Sequence, residues 1–307
     1  MLEIRNLSVE FSSYSAGLRR HSVPAIRSLD LTVQAGTIAA VVGQSGAGKS
    51  LLAHAVLGIL PANATCSGDM FYNGRRLTPR SIRSLRGKEI ALIPQSVSFL
   101  NPLLKVGVQV ARAGICGGMS AAEARSSAQQ ALQRYGLPRR TLGWFPFQLS
   151  GGMTRRVLTA TATIGSASLL IADEPTNGLD PLTARETLGH LRSLADTGKA
   201  VILITHDIEA ALSVADSVTV FCGGVTVEEA RASDFNGNGS LRHPYSRTLW
   251  ESLPRNGFTQ AVPQPETAPQ NGGCPFSGAC LRSNGSCRET LPELTPLSGG
   301  KVRCWNA

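Results

Sequence analysis

The sequence predicts an α/β protein built on a largely parallel sheet, and three observations carry that expectation. Short apolar, β-branched runs alternate with stretches of helical period. Four runs stand out, TIAAVVG (37–43), IALIP (90–94), LLIAD (169–173) and AVILITH (200–206), and three of them are apolar on both faces, as a strand covered by helices on each side has to be. A glycine-rich turn follows the first run and two carboxylates close the third, which sets chemistry at strand ends, where open α/β sheets bind ligands.

Ahead of the first buried run, LEIRNLSVEF (2–11) and IRSLDLTV (26–33) alternate apolar and polar residues, the pattern of an antiparallel layer with one exposed face. Residues 95–168 read as mainly helical. One helix there is explicit: Ser120 with Glu123 forms a capping box, Ala124, Ala128, Ala131, Leu132 and Tyr135 follow at helical spacing, and Gly136 ends it. After Asp234 the composition changes. FNGNGS is a turn-rich break, LRHPYSRTLWESLP a short helical segment, and RNGFTQAVPQPETAPQNGG (255–273) a linker rich in Pro, Gln and Gly.

With 307 residues, 42% hydrophobic and 17% charged, the chain supports a sizeable core. It has no apolar run long enough to span a bilayer, and its start, MLEIRNLSVEF, lacks the basic and apolar regions of a signal peptide. Neither a membrane span nor export is expected. The net charge is +9, with Arg75, Arg76, Arg80, Arg83, Arg86 and Lys88 close together. A solvated face is the ordinary account of such a group, and a nucleic-acid or anionic-membrane surface is the alternative.

VVGQSGAGKSLL matches the phosphate-binding pattern GxxxxGK[ST] between an apolar strand and a helical run. Gly43, Gly46 and Gly48 let the backbone curl, so that N–H groups of the loop, with Gln44, Ser45 and Ala47, face phosphate oxygens at the positive end of the next helix. Lys49 would reach the β and γ phosphates and the Ser50 hydroxyl would ligate Mg²⁺. LLIADEP brings Asp173 to a strand end, where it would hold Mg²⁺ through water, beside Glu174, which would polarise an attacking water. Two adjacent carboxylates closing a buried strand call for a metal or nucleotide, because an unpaired buried charge is costly.

Together with LSGGMTRRV (149–157), Gln95 in IPQS, NGLD (177–180) and ITHD (204–207), these motifs resemble the ATP-binding-cassette (ABC) ATPases, in the same order, over residues 1 to about 235. The resemblance implies a RecA-like P-loop NTPase core sheet, an antiparallel β layer and a helical subdomain inserted at about 96–165. It also implies roles. Ser150, Gly151 and Gly152 resemble the signature that contacts the γ-phosphate bound to the opposite subunit, an anion at a helix start. Gln95 resembles the residue that links Mg²⁺ to the helical subdomain and the membrane partner, His206 the switch histidine on the γ-phosphate, and Asp180 the residue at the dimer interface. The catalytic unit implied is a dimer closed by ATP, with a like or a related ATPase. Two departures stand out: the adenine-stacking aromatic has no clear counterpart, with Tyr14 and His21 as candidates, and Arg155 stands where many relatives carry glutamine.

FLNPLLKVGVQV, LSGGM and HPYSRTLWESLP (243–254) further resemble the ATPase subunits of dipeptide, oligopeptide and nickel importers. That implies an ATP-hydrolysing, energy-coupling subunit, peripheral on the cytoplasmic face of the inner membrane. Its implied partners are two transmembrane permeases, a second ABC ATPase and an external solute-binding protein, with no nucleic acid. Peptides, nickel or a metal chelate would be the imported solute. The alternative is a non-transport ABC ATPase acting on nucleic acid or ribosomes, which generally carries two cassettes, a coiled-coil insertion or zinc modules. A P-loop kinase or GTPase does not account for LSGGM.

Four of the seven cysteines, Cys274, Cys280, Cys287 and Cys304, fall in the last 34 residues with spacing C-x5-C-x6-C-x16-C. Disulfides are disfavoured without an export signal. Structural zinc sites usually pair their ligands more closely, a Cys₄ iron–sulfur cluster suits a loop-rich tail, and a disordered tail with incidental cysteines completes the choices. Extensions of the importer ATPases share the first three cysteines at similar spacing, and some are associated with a [4Fe–4S] cluster. The resemblance therefore implies such a cluster on all four, with Zn²⁺ as the alternative. Cys66, Cys116 and Cys222 read as ordinary small thiols. The expected division is a nucleotide-binding domain at 1–235, an HPYSR segment and linker at 236–273, and a Cys-rich tail at 274–307.

Overall fold

The computed structural model describes residues 1–14, 20–44, 46–256, 263, 265 and 272–307. Strands β1 (Leu2–Tyr14), β2 (Arg20–Val33) and β3 (Ile38–Val42) lead into helix α1 (Lys49–Leu57). Next come β4 (Ala64–Tyr72), β5 (Arg75–Arg76), α2 (Pro79–Leu85), β6 (Ile90–Ile93) and the helices α3 (Val106–Cys116), α4 (Ala121–Arg134) and α5 (Gly151–Thr163). They are followed by β7 (Leu169–Asp173), α6 (Pro181–Asp196), β8 (Ala200–Thr205), α7 (Ile208–Leu212), β9 (Ser217–Cys222) and β10 (Val225–Arg231). The last elements are α8 (Pro244–Glu251), α9 (Gly285–Glu289), β11 (Thr295–Leu297) and β12 (Gly300–Val302). The chain forms two compact units, one of Met1–Gln34, Ile38–Leu77 and Ile204–Ala307, the other of Ala35–Thr37 and Thr78–Leu203.

In the first unit the strand order is β5-β4-β1-β2-β10-β9-β3. The expected antiparallel layer is β1 with β2, running from Leu2 opposite Val33 to Tyr14 opposite Arg20. Leu2 and Ile4 are buried, and so are Leu7 and Val9, although the two pairs differ in phase by one residue. A register shift between Ile4 and Leu7 reconciles them, with Asn6 at φ 49°, because an extra residue in one strand turns the following side chains to the other face. β3 runs parallel to β9. β9 returns antiparallel as β10 through Gly223 and Gly224, whose φ values of 49° and 82° suit a tight hairpin.

In the second unit the order is β8-β7-β6, with β6 and β7 parallel from Ile90 opposite Leu169. Helices α3, α4 and α5 bury a core of their own, including Val106, Val110, Ala128, Leu132 and Val157. The capping box forms as expected: the Glu123 N–H donates to Ser120 Oγ at 3.3 Å and the Ser120 N–H to the Glu123 carboxylate at 2.9 Å. The basic group from Arg75 to Lys88 is exposed throughout. Among the described residues no helix is long and apolar enough to cross a membrane. Most of the segment read as a linker lies outside the described residues.

The tail is tied into the first unit's sheet. β12 pairs with β11 and adds antiparallel to β10, Glu228 opposite Val302. The Glu228 carboxylate is wholly buried and accepts from the Arg242 N–H (2.8 Å), the His243 N–H (2.9 Å) and Arg242 Nη1 (3.2 Å). The same guanidinium donates to Asp234 at 3.1 Å, to the Leu297 carbonyl at 2.7 Å and to the Ser298 carbonyl. One arginine thus clamps β10, the start of α8 and the β11–β12 turn. Arg303 repeats the pattern, with Asp30 at 2.7 Å and the Thr226 and Pro292 carbonyls at 3.0 and 2.9 Å. Removing one member of a buried pair strands the other charge. Arg242→Ala is therefore expected to destabilise the chain by about 3–5 kcal/mol, read as a lower midpoint in urea.

Candidate functional site

β3 is buried at all five positions, and the chain leaves it at Gly43. A Cβ on Gly43 would stand 2.1 Å from the Phe221 carbonyl oxygen, so only glycine lets the loop pass β9. Gly48 sits at φ 91°, and a Cβ there would meet the Ala25 carbonyl at 2.8 Å. Helix α1 begins at the next residue, with no side chain capping it and no acidic residue in its first turn, the arrangement that receives an anion. Lys49 is buried, and its Nζ donates to the Gly43 and Gln44 carbonyls at 2.7 and 2.8 Å. A buried ammonium thus spans the loop. Gly46, Ala47 and Ser50 lie in the same loop and helix start, and Ser45 lies outside the described residues. Also in this unit, exposed His206 follows β8, and Asp207 next to it caps α7 by accepting the Ala210 N–H at 2.9 Å.

The second unit holds the other predicted groups. β7 is buried along its length and ends at Asp173, itself buried, as is Glu174. Glu174 has φ 47°, and its carbonyl accepts the Asn177 N–H at 3.2 Å. Ser150 caps α5, its hydroxyl accepting the Met153 N–H at 3.3 Å. Gly151 and Gly152 open that helix, and nothing lies within 4 Å of a Cβ on Gly151. The serine hydroxyl and first-turn amides stand at an exposed helix start. Asp180 caps α6, accepting the Leu182 and Thr183 N–H groups at 3.1 and 3.0 Å; hydrogen bonds from the Thr183 hydroxyl and then from these amides hold its carboxyl below the usual carboxylate range. Gln95 is exposed just past β6. For adenine, His21 is exposed on β2, and the backbone of Tyr14 pairs with Arg20.

The four tail cysteines converge. Cys274, Cys280, Cys287 and Cys304 line one cavity of about 20 Å³, together with His243 and Asn306. The Cys274 N–H donates to the Cys287 carbonyl at 2.8 Å. Asn306 donates from its side chain to Cys287 Sγ at 3.5 Å and from its backbone to Cys304 Sγ at 3.4 Å. His243 Nδ1 accepts the Tyr245 N–H at 3.0 Å, which leaves the proton on Nε2, 3.8 Å from Cys274 Sγ. Burial pushes the Cys274 thiol up to about 11 and holds His243 neutral, down at about 3. Among the described residues, no group of three or more His, Cys, Asp or Glu side chains is placed to hold a metal ion. Sequence reasoning did not find His243 and Asn306 as neighbours of these sulfurs, because only the folded tail brings them there.

A glycine-cradled lysine at a helix start, a buried strand closing on two carboxylates and a serine-capped glycine helix define an ATP-hydrolysing cassette. The model of the ABC transporter family matches residues 26–177, and that of the oligopeptide/dipeptide transporter C-terminal region matches 227–287. A protein of Sinorhizobium fredii described as a probable peptide ABC transporter ATP-binding protein is 34% identical over 100% of this chain and 95% of its own length. The oligopeptide transport ATP-binding protein of Haemophilus influenzae is 32% identical over 99% of this chain and 97% of its own. A bacterial ABC transporter cassette solved as a dimer superposes with a TM-score of 0.66 at 25% identity, over 76% of this chain and 99% of that one. This chain belongs to the ABC transporter ATP-binding subunits of the oligopeptide and dipeptide importer family, and it binds and hydrolyses ATP. Replacing Gly43 with Ala is expected to abolish ATP binding, measured by titration with a fluorescent nucleotide, because the loop cannot keep its path past Phe221.

Proposed function

We propose that this subunit powers peptide import from the cytoplasmic face of the inner membrane, joined to two permeases and a second ATPase and fed by an external solute-binding protein. The observation that carries the reading is the buried Lys49 ammonium on the Gly43 and Gln44 carbonyls at an uncapped helix start, within a chain that belongs to the importer family. The relatives named above are peptide and oligopeptide transport proteins, which favours peptides over nickel or a metal chelate. An ABC transporter cassette solved as a dimer supports pairing with a like or related ATPase. The domain limits proposed are 1–235 for the cassette, 236–273 for the HPYSR segment and linker, and 274–307 for the tail.

The residues divide the work. Loop amides from Gly43 to Gly48 and the Lys49 ammonium take the phosphates, and Ser150, Gly151 and Gly152 offer a second anion site to the nucleotide of the partner ATPase. Ser50, Gln95 and Asp173 present the hard oxygen donors that suit Mg²⁺, which neutralises charge on the phosphates when bound. Glu174 orients and deprotonates the attacking water, His206 contacts the γ-phosphate, and Asp180 stands at the dimer face. Glu174→Gln is expected to lower ATP turnover by roughly 10²-fold or more, and Lys49→Ala to remove binding. Undiminished peptide uptake in cells carrying either variant would refute the reading.

The four cysteines that line one cavity, Cys274, Cys280, Cys287 and Cys304, are assigned to a [4Fe–4S] cluster, with Zn²⁺ as the alternative. A cluster spreads its ligands over separate irons. Its binding would add folding energy to the tail. Anaerobic purification should yield about four irons per chain; zinc without iron would select the alternative, and neither metal would refute both.

A further inference from the structure

Arg155 is a half-buried cation that takes no part in the phosphate loop or the tail. It lies in the first turns of α5, just after Ser150, Gly151 and Gly152. Its Nη1 donates to the Glu174 carbonyl at 3.3 Å, the same oxygen that accepts the Asn177 N–H at 3.2 Å. Its Nη2 lies 4.0 Å from where a Cβ on Gly178 would stand, so the planar fork spans the turn from Glu174 to Gly178. Leu179 comes within 3.9 Å of a Cβ position on Gly152, which seats the end of that turn against the start of α5. All of these residues lie in one compact unit.

The turn needs such a support. Glu174 holds a left-handed φ of 47°, which a residue with a side chain keeps only when its surroundings enforce it. The carboxylate is buried, so a small rotation of its backbone re-aims it without relief from solvent. Desolvation lowers the Arg155 pKa while the nearby Glu174 charge opposes the shift, placing the guanidinium within electrostatic reach of the carboxylate.

We infer that Arg155 is a positioning residue for ATP hydrolysis, tying the start of the signature helix to the backbone of Glu174 and so fixing where that carboxylate points. The inference rests on the reading of Glu174 as the group that activates water. It adds a link: movement of the Ser150–Gly152 helix start passes through one side chain to the hydrolytic carboxylate. A planar guanidinium bonds the carbonyl and fills the turn at once, which a lysine ammonium does only in part.

The test is steady-state and single-turnover ATP hydrolysis by the full-length chain assembled with its transporter partners. Arg155→Met is expected to lower kcat roughly tenfold with KM for ATP within about twofold, and Arg155→Lys to recover part of that loss. In a Glu174→Gln background, Arg155→Met should change the residual single-turnover rate by less than about twofold, since the group it acts on is gone. An equal loss in both backgrounds, a raised KM or an undiminished kcat would overturn the inference. Glu174→Gln alone separates the two readings. Parental turnover in that variant refutes the assignment of Glu174 itself; loss of turnover there with Arg155→Met unimpaired refutes only the role of Arg155. If Arg155→Met melts below the assay temperature, Arg155→Gln carries the comparison, with an intermediate kcat and an unchanged KM expected.

Discussion

A strand buried on both faces can present a charge only where it ends, and this constraint organises the ATP-binding machinery of the chain. β3, β7 and β8 are buried at every position. The candidate site residues therefore collect at the carboxyl ends: Gly43 and the phosphate loop after β3, Asp173 and Glu174 at the close of β7, His206 after β8. Asp173 and Glu174 are buried there, where loss of water makes the placing of each carboxylate costly to change. The left-handed backbone at Glu174 and the arginine on its carbonyl belong to the same demand, since a buried carboxylate is useful only in one direction.

A second buried charge governs the tail. Glu228 sits in the middle of β10 rather than at its end, and it is accommodated because two backbone amides and a guanidinium converge on it. Those amides belong to Arg242 and His243, the residues that start α8, so the helix start is set by a carboxylate in the sheet. From there His243 reaches Cys274 with one ring nitrogen while the other caps its own helix. The cysteine cavity thus rests on the same sheet as the phosphate loop, through β10 and β9, and the tail is more than an appended strip of chain.

Much of this was legible in the residue order. The four buried strands, the capping box at Ser120, the phosphate loop and the carboxylate-ended strand all announce themselves through local pattern, because each depends on residues adjacent in sequence. The hairpin of β9 and β10 was less legible. VTVEEAR places Glu228 where an inward apolar residue is expected, and periodicity alone does not foresee a carboxylate matched by amides from residues 242 and 243. The phase break in β1 is similar: Leu2, Ile4, Leu7 and Val9 conflict as one alternating strand, and the register shift near Asn6 resolves them. Neither His243 nor Asn306 could be assigned to the cysteines by spacing.

By itself the sequence determined the class of chemistry, since glycine, lysine, serine and paired carboxylates at set spacings act through local backbone geometry that short segments encode. It also determined that four cysteines share a tail. Only the tertiary structure decided that these cysteines face one cavity, that the tail adds a hairpin to β10, and that Arg155 reaches the Glu174 carbonyl. The reason is physical. Those contacts join residues that lie far apart along the chain, and their partners are chosen by which buried charge and which unpaired backbone group the packed elements bring within hydrogen-bonding distance.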